Sequence, residues 1–233
     1  MIKKISIYNL GTHQGRLKEP GKESTNGCTV ISALVAQNHL KTGPAIPNSK
    51  IESVIDIDAP PILRKVRVKL GLTGDALIIP SDVNDYFVDN NMLRQDQFVG
   101  VCGGNIMDEE HMGELLKLLQ CGHEQNGTSD KKVAATLFFH EHVICILKTF
   151  TLKGELRYEL VDSMPRNMKP GLAPASAVRV RCLDVEGFRV LLSWYACSRF
   201  SDSNCDFIDQ HGWDENNCDF DPRVFQAFVW SEL

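Results

Sequence analysis

The chain has 233 residues, 43% of them hydrophobic and 24% charged, which is enough for one sizeable apolar core and too apolar for disorder throughout. Its 25 Lys and Arg against 30 Asp and Glu leave a formal charge of −5 with scattered basic residues, which argues against the continuous basic face of a nucleic-acid binder. There is no secretory leader pattern and no apolar run of roughly 18 residues, so the expected setting is cytosolic or nuclear, without a membrane span.

Residues 1–10 alternate like an edge strand, and 11–27 read as a polar loop. A helix is predicted over 28–40, before Thr42-Gly43-Pro44 and Ile46-Pro47 break the chain. Asp58-Ala59-Pro60-Pro61 signals a helix start, with Ile62 to Leu70 as a short helix stopped by Gly71. Ser81 to Phe87 reads as a second capped helix and Gln97 to Val101 as a strand. Asp108-Glu109-Glu110 opens an amphipathic helix with Met112, Leu115, Leu116 and Leu119 on one face and Gly122 beyond its end. After a polar loop over 122–130, two strand-like runs flank His140-Glu141-His142. The second gives way near Lys153-Gly154 to Leu156 to Val161, a hairpin partner that ends at Asp162. Val178, Val180 and Cys182 alternate like a strand, and Val185, Phe188, Leu191, Leu192 and Tyr195 mark another amphipathic helix. The whole is expected to be a single domain over 1–233, mainly helical over 41–130 and mainly sheet over 131–233, with the helical part lining the side of a cleft that faces the strands.

Cys28 stands just behind the polar turn Ser24-Thr25-Asn26-Gly27 and just ahead of Val30, Ile31, Leu34 and Val35, which places it at the N-terminus of a buried helix. Exposed N–H groups and the positive end of the helix dipole stabilise a thiolate there, lowering the thiol from its free pKa of about 8.5. A lone cysteine in this position is more often a small buried hydrophobe, so a second site must support it. With a turn near Lys153-Gly154, His142 at the start of one strand and Asp162 at the end of its partner lie at the same end of a ribbon, where side chains touch across strands. An imidazole beside a carboxylate, presented to a helix-terminal cysteine, is the Cys-His-Asp arrangement of thiol hydrolases, in the papain chain order.

Ser24-Thr25-Asn26-Gly27 ahead of Cys28 and its leucine-containing helix resembles the nucleophile segment of the MINDY-type deubiquitinases, a papain-like family that trims polyubiquitin. Phe138-Phe139 shortly before a histidine, then a strand, a turn and an aromatic strand ending in Val161-Asp162, is similar to that family's histidine segment. Tyr158 to Met164 is also similar to the acid-bearing strand of proteases for SUMO-like modifiers, which place their cysteine last. The two blocks cover about 50 residues of the chain. They lack the proline that the family carries between glycine and cysteine, and Glu23 stands where the family has its oxyanion-hole glutamine. A carboxylate there opposes the developing negative charge, so either Glu23 points elsewhere and Asn26 or Gln14 donates, or the hole is defective and the protein is a pseudoenzyme.

The expected fold is therefore α+β and papain-like, with a helical side carrying Cys28 packed on a twisted antiparallel sheet carrying His142 and Asp162. The expected activity is hydrolysis of a peptide or isopeptide bond, and the resemblance implies ubiquitin or a ubiquitin-like modifier as the protein substrate. Cys28 is the nucleophile, His142 the base and then acid, Asp162 the orienter, and Asn26 or Gln14 the oxyanion donor. The alternatives are a catalytically inactive protein-binding module of the same fold, and a peptidase or acyltransferase unrelated to ubiquitin. No cofactor and no metal are expected. Asp202-Ser203-Asn204-Cys205-Asp206 opens like a calcium loop, but Phe207 replaces the glycine and Trp213 the bidentate glutamate. His140 and His142 lack a second ligand pair, and Gly103-Gly104 lacks the rest of a P-loop. The acidic run from Asp202 to Asp221 around Trp213 reads first as a solvated loop and second as a partner-binding one.

Overall fold

A computed structural model describes residues 5–17, 27–73, 76–124, 127–166 and 176–233. In chain order it contains β1 (Ser6–Asn9), a 3-10 turn (Gln14–Leu17), α1 (Cys28–Lys41), α2 (Asn48–Ser53), a π-helical stretch (Val54–Asp58), α3 (Ala59–Leu70) and α4 (Pro80–Asp89). There follow β2 (Phe98–Asn105), α5 (Glu109–Cys121), β3 (Val133–Phe139), β4 (His142–Phe150), β5 (Leu156–Arg166), β6 (Ser176–Cys182), α6 (Val185–Cys197), α7 (Asp202–Gln210) and β7 (Val224–Ser231). The π-helical stretch has a cause in the sequence. Pro60 and Pro61 have no N–H to give the carbonyls of Asp56 and Ile57, so the regular ladder cannot run through them. Gly71, at φ 65°, ends α3 in the left-handed conformation.

Among the described residues the strands form one antiparallel sheet in the order β1-β6-β5-β4-β3-β7-β2. Helices cover both faces. On one, α1 to α4 bury Val30, Ile31, Leu34, Val35, Ile51, Leu63 and Phe87 against Ala134, Cys145, Leu147 and Val161 of the strands. On the other, Met112, Leu115 and Leu119 of α5 and Phe188, Leu191 and Leu192 of α6 pack on Ala135, Leu137, Ile144, Ile146 and Leu160. The alternation of β3, β4 and β5 feeds both cores, which is why these strands are apolar at nearly every position. The helical stretch before β3 thus does not line one side alone: α5 lies on the sheet face opposite α1.

Helix α1 lies at the centre of its layer. Every residue from Cys28 to Ala36 is buried, so the helix has no polar face. Three of its buried polar side chains reach backbone carbonyls: Thr29 Oγ1 donates to that of Ile78 at 2.8 Å, Ser32 Oγ to that of Val143 at 3.1 Å, and His39 Nε2 lies 2.9 Å from that of Lys148. At the C-terminal end, the buried Lys132 ammonium donates to the carbonyls of His39, Leu40 and Thr42 at 2.8, 3.1 and 2.5 Å. These are groups that a helix end leaves unpaired. Lys148 does the same at the far end of α5, reaching the Gln120 and Ser129 carbonyls. Burial holds its pKa down, at about 8.

The segment Asp202 to Gln210, expected as loop, is helix α7. Ser201 and Asn204 form a capping box at its start, and none of its residues is buried. Trp213 packs against His111 and lies under the Arg223 guanidinium, so its ring already has intramolecular neighbours. No helix among the described residues is long and apolar enough to cross a membrane.

Candidate active site

Helix α1 begins at Cys28 itself, after Gly27. This puts the thiol at the N-terminal mouth of the helix, against the start of β4. The hydrogen bond from Ser32, one turn on, to the Val143 carbonyl fixes the helix lengthwise against the strand, one residue beyond His142. The thiol therefore meets the first residue of β4. Thiol and His142 imidazole are close enough for each to shift the ionisation of the other, with the Val143 backbone and Thr29 side chain as further neighbours of the thiol.

β4 and β5 form the hairpin read from the sequence, with Gly154 at φ 80° in its turn. Their register runs from Phe150 opposite Leu156 to Cys145 opposite Val161. His142, just before that end of the paired stretch, and Asp162, just after it, therefore lie at the same open end of the hairpin. The His142 Nε2 to Asp162 Oδ1 distance is 2.7 Å, with His142 3% and Asp162 0% exposed. Because Nε2 faces the carboxylate, Nδ1 is left for the thiol. The same Asp162 Oδ1 accepts the Met164 backbone N–H at 2.9 Å, so the carboxylate is oriented independently of the histidine.

The electrostatics separate Cys28 from the other buried thiols. Burial pushes Cys102 up to about 12 and Cys182 up to about 11, and drives Cys145 up as well. Burial also works against ionisation of Cys28. There the hydrogen bond and charge of His142, helped by the Val143 backbone, outweigh it and hold the thiol below its ordinary value. His142 moves the opposite way. Burial lowers it, but the Asp162 hydrogen bond and then the Cys28 thiolate raise it to about 9. The two shifts favour the thiolate and the imidazolium.

Of the two expected oxyanion donors, Asn26 lies outside the described residues, as does Glu23. Gln14 is buried in the 3-10 turn, and its Oε1 accepts from Ser163 Oγ at 2.8 Å, next to Asp162. That bond fixes the amide so that its NH2 group points away from Ser163. Cys28, His142 and Asp162 are thus brought together, and Gln14 lies along the same strand end. Ser32 and Ser163 are positioning groups that the sequence reading left out. A lone serine within the otherwise apolar run 30–36 was the available signal for the first. Among the described residues no group of three His, Cys, Asp or Glu side chains is arranged to hold a metal ion. In comparisons with known proteins, no family model and no curated protein sequence matches the chain.

Proposed function

We propose that the protein is a thiol hydrolase of papain-like arrangement, acting on a peptide or isopeptide bond of ubiquitin or a ubiquitin-like modifier. The observation that carries this reading is the buried relay from Cys28 at the head of α1 through His142 to Asp162 at 2.7 Å, with the thiol shifted down and the imidazole up. The Cys28 thiolate attacks the carbonyl, and the imidazolium protonates the leaving amine. Water, deprotonated by the now neutral His142, releases the acyl group. The negative charge on the tetrahedral intermediate falls at the head of α1, where the first N–H groups have no intrahelical acceptor, with Asn26 or Gln14 as the side-chain donor. The choice of modifier rests on the resemblance of the segments around Cys28 and His142 to the MINDY-type deubiquitinases.

The deciding experiment incubates the protein with ubiquitin and ubiquitin-like probes bearing a C-terminal electrophile, with the Cys28→Ala variant as control. An adduct that maps to Cys28 supports both activity and substrate class. Reaction of Cys28 with small peptide electrophiles alone leaves a general peptidase or acyltransferase. A protein that binds the modifier without forming an adduct is the inactive binding module.

A further inference from the structure

The turn that delivers His142 is conformationally costly. β3 and β4 are joined by His140 and Glu141 alone, with φ of 52° and 58°, as in the mirror-image two-residue turn that favours Asn and Gly. Each side chain in the left-handed region costs roughly 1 kcal/mol or more, so contacts from elsewhere must hold this pair in place. They come from the junction of α6 and α7. His140 Nε2 lies 2.9 Å from Asn204 Oδ1, and Phe200 packs edge-on against both Phe139 and His140. Arg199, at the C-terminal end of α6, donates from Nη2 to the His140 carbonyl at 3.3 Å. Its other terminal nitrogen, Nη1, reaches the Met164 sulfur at 3.7 Å.

The two ends of this fork have matching places in the chain. His140 lies two residues before His142, and Met164 two residues after Asp162. Met164 is also the residue whose backbone N–H orients the Asp162 carboxylate. It lies in an irregular stretch of β5, where pairing with β6 slips between Asp162 and Arg166. A strained turn and a register break are the two parts of the hairpin end that backbone pairing leaves underdetermined, and one planar guanidinium spans both.

Resting on the proposed Cys28-His142 chemistry, we infer that Arg199 is a positioning residue: it clamps the turn before His142 to the bulge after Asp162 and so sets the hydrogen bond between base and orienter. Arg199 touches neither side chain. Its positive charge by itself disfavours a nearby imidazolium, so electrostatics alone do not account for its placement. The groups that act on His142 directly are Asp162 and Cys28.

The test uses the full chain with Arg199→Met, which keeps the stem and removes both donors, and Arg199→Lys, which keeps the charge but not the fork. Two quantities are measured in each: the pH dependence of Cys28 alkylation by iodoacetamide, and the titration of the His142 ring by NMR. Circular dichroism checks folding. The clamp predicts that Arg199→Met lowers the His142 pKa and raises that of Cys28 by about one unit. Alkylation at a pH below the wild-type Cys28 pKa is then about tenfold slower, with rates equal at a pH where every thiol is ionised. Arg199→Lys should fall between Arg199→Met and wild type. A His142 pKa that rises in Arg199→Met, as removal of charge alone requires, overturns the inference. So does a profile identical to wild type in a folded Arg199→Met variant, or in Arg199→Lys where the methionine variant does not fold. A wild-type Cys28 that alkylates as an ordinary thiol overturns the nucleophile assignment itself, and the clamp with it. A shifted wild-type profile with no response at Arg199 overturns the clamp alone.

Discussion

Replacing Asp162 separates orientation from charge, because the structure fixes what an asparagine would do there. Oδ1 takes both the His142 ring at 2.7 Å and the Met164 backbone N–H at 2.9 Å. A backbone N–H can only donate, so in Asp162→Asn the amide oxygen is held where Oδ1 now lies and the NH2 group is kept away from the imidazole. The variant keeps an acceptor for Nε2–H at that position and loses the charge. A hydrogen bond to a charged group is worth about 1.5–3 kcal/mol and a neutral one about 0.5–1.5. The difference is of order one pKa unit on His142, or about tenfold in kcat/KM. Asp162→Ala loses the acceptor altogether, leaves the Met164 N–H without this acceptor and frees the ring to turn, for a loss of about 100-fold or more. The assay is kcat/KM on a fluorogenic modifier or peptide substrate, with the His142 titration alongside. An alanine variant within about twofold of wild type, or an asparagine variant worse than alanine, refutes the assigned role of Asp162.

His142→Ala should abolish turnover, whereas His140→Ala should cost only part of it by loosening the turn; equal losses in steady-state kinetics would show that the base is misassigned. The pH profile of kcat/KM should be a bell. The acid limb lies below the ordinary thiol value, because Cys28 is held down, and the alkaline limb falls near pH 9 as the imidazolium loses the proton needed by the leaving amine. Alkylation of Cys28 needs no such proton and should show no alkaline fall, so a matching fall in both would count against His142 as the acid. Lys132→Met should leave the His39, Leu40 and Thr42 carbonyls without their buried donor and destabilise the fold by about 3 kcal/mol or more. For a chain of this size that lowers Tm by roughly 10 °C in calorimetry, and a shift under about 2 °C would show that the carbonyls find other partners.

The hairpin was legible because its signals are local: apolar strand-like runs on both sides of Lys153-Gly154 mark the turn, and the turn brings His142 and Asp162 to one end of the ribbon. The start of α1 at Cys28 was legible for the same reason, a polar turn meeting an apolar run. Strand β7 was not. It pairs with β3 and β2, respectively 86 or more residues and 119 or more residues away by the registers Phe139↔Phe225 and Asn105↔Val224, and nothing within Val224 to Ser231 says where in a sheet it inserts. Helix α7 escaped because it buries no residue and its Asp, Ser and Asn content reads as a solvated loop. Which face each helix covers was equally hidden, since neither the all-apolar α1 nor the one-sided α5 carries a local signal for it and only the chain's path around the sheet separates them.

The origin of the thiolate also shifts between sequence and structure. The sequence points to the helix N-terminus as the source of the shift, whereas in the structure burial drives the strand cysteines Cys102, Cys145 and Cys182 upward and opposes ionisation at Cys28 too. What distinguishes Cys28 from those three is the imidazole beside it, which the hydrogen bond of the fully buried Asp162 shifts up and which in turn shifts the thiol down. The shift at Cys28 therefore depends on the β4–β5 hairpin as well as on α1. It follows that substitutions which loosen the hairpin end should raise the Cys28 pKa even when α1 is untouched, whereas changes at the far end of α1 should alter stability and leave the thiol where it is.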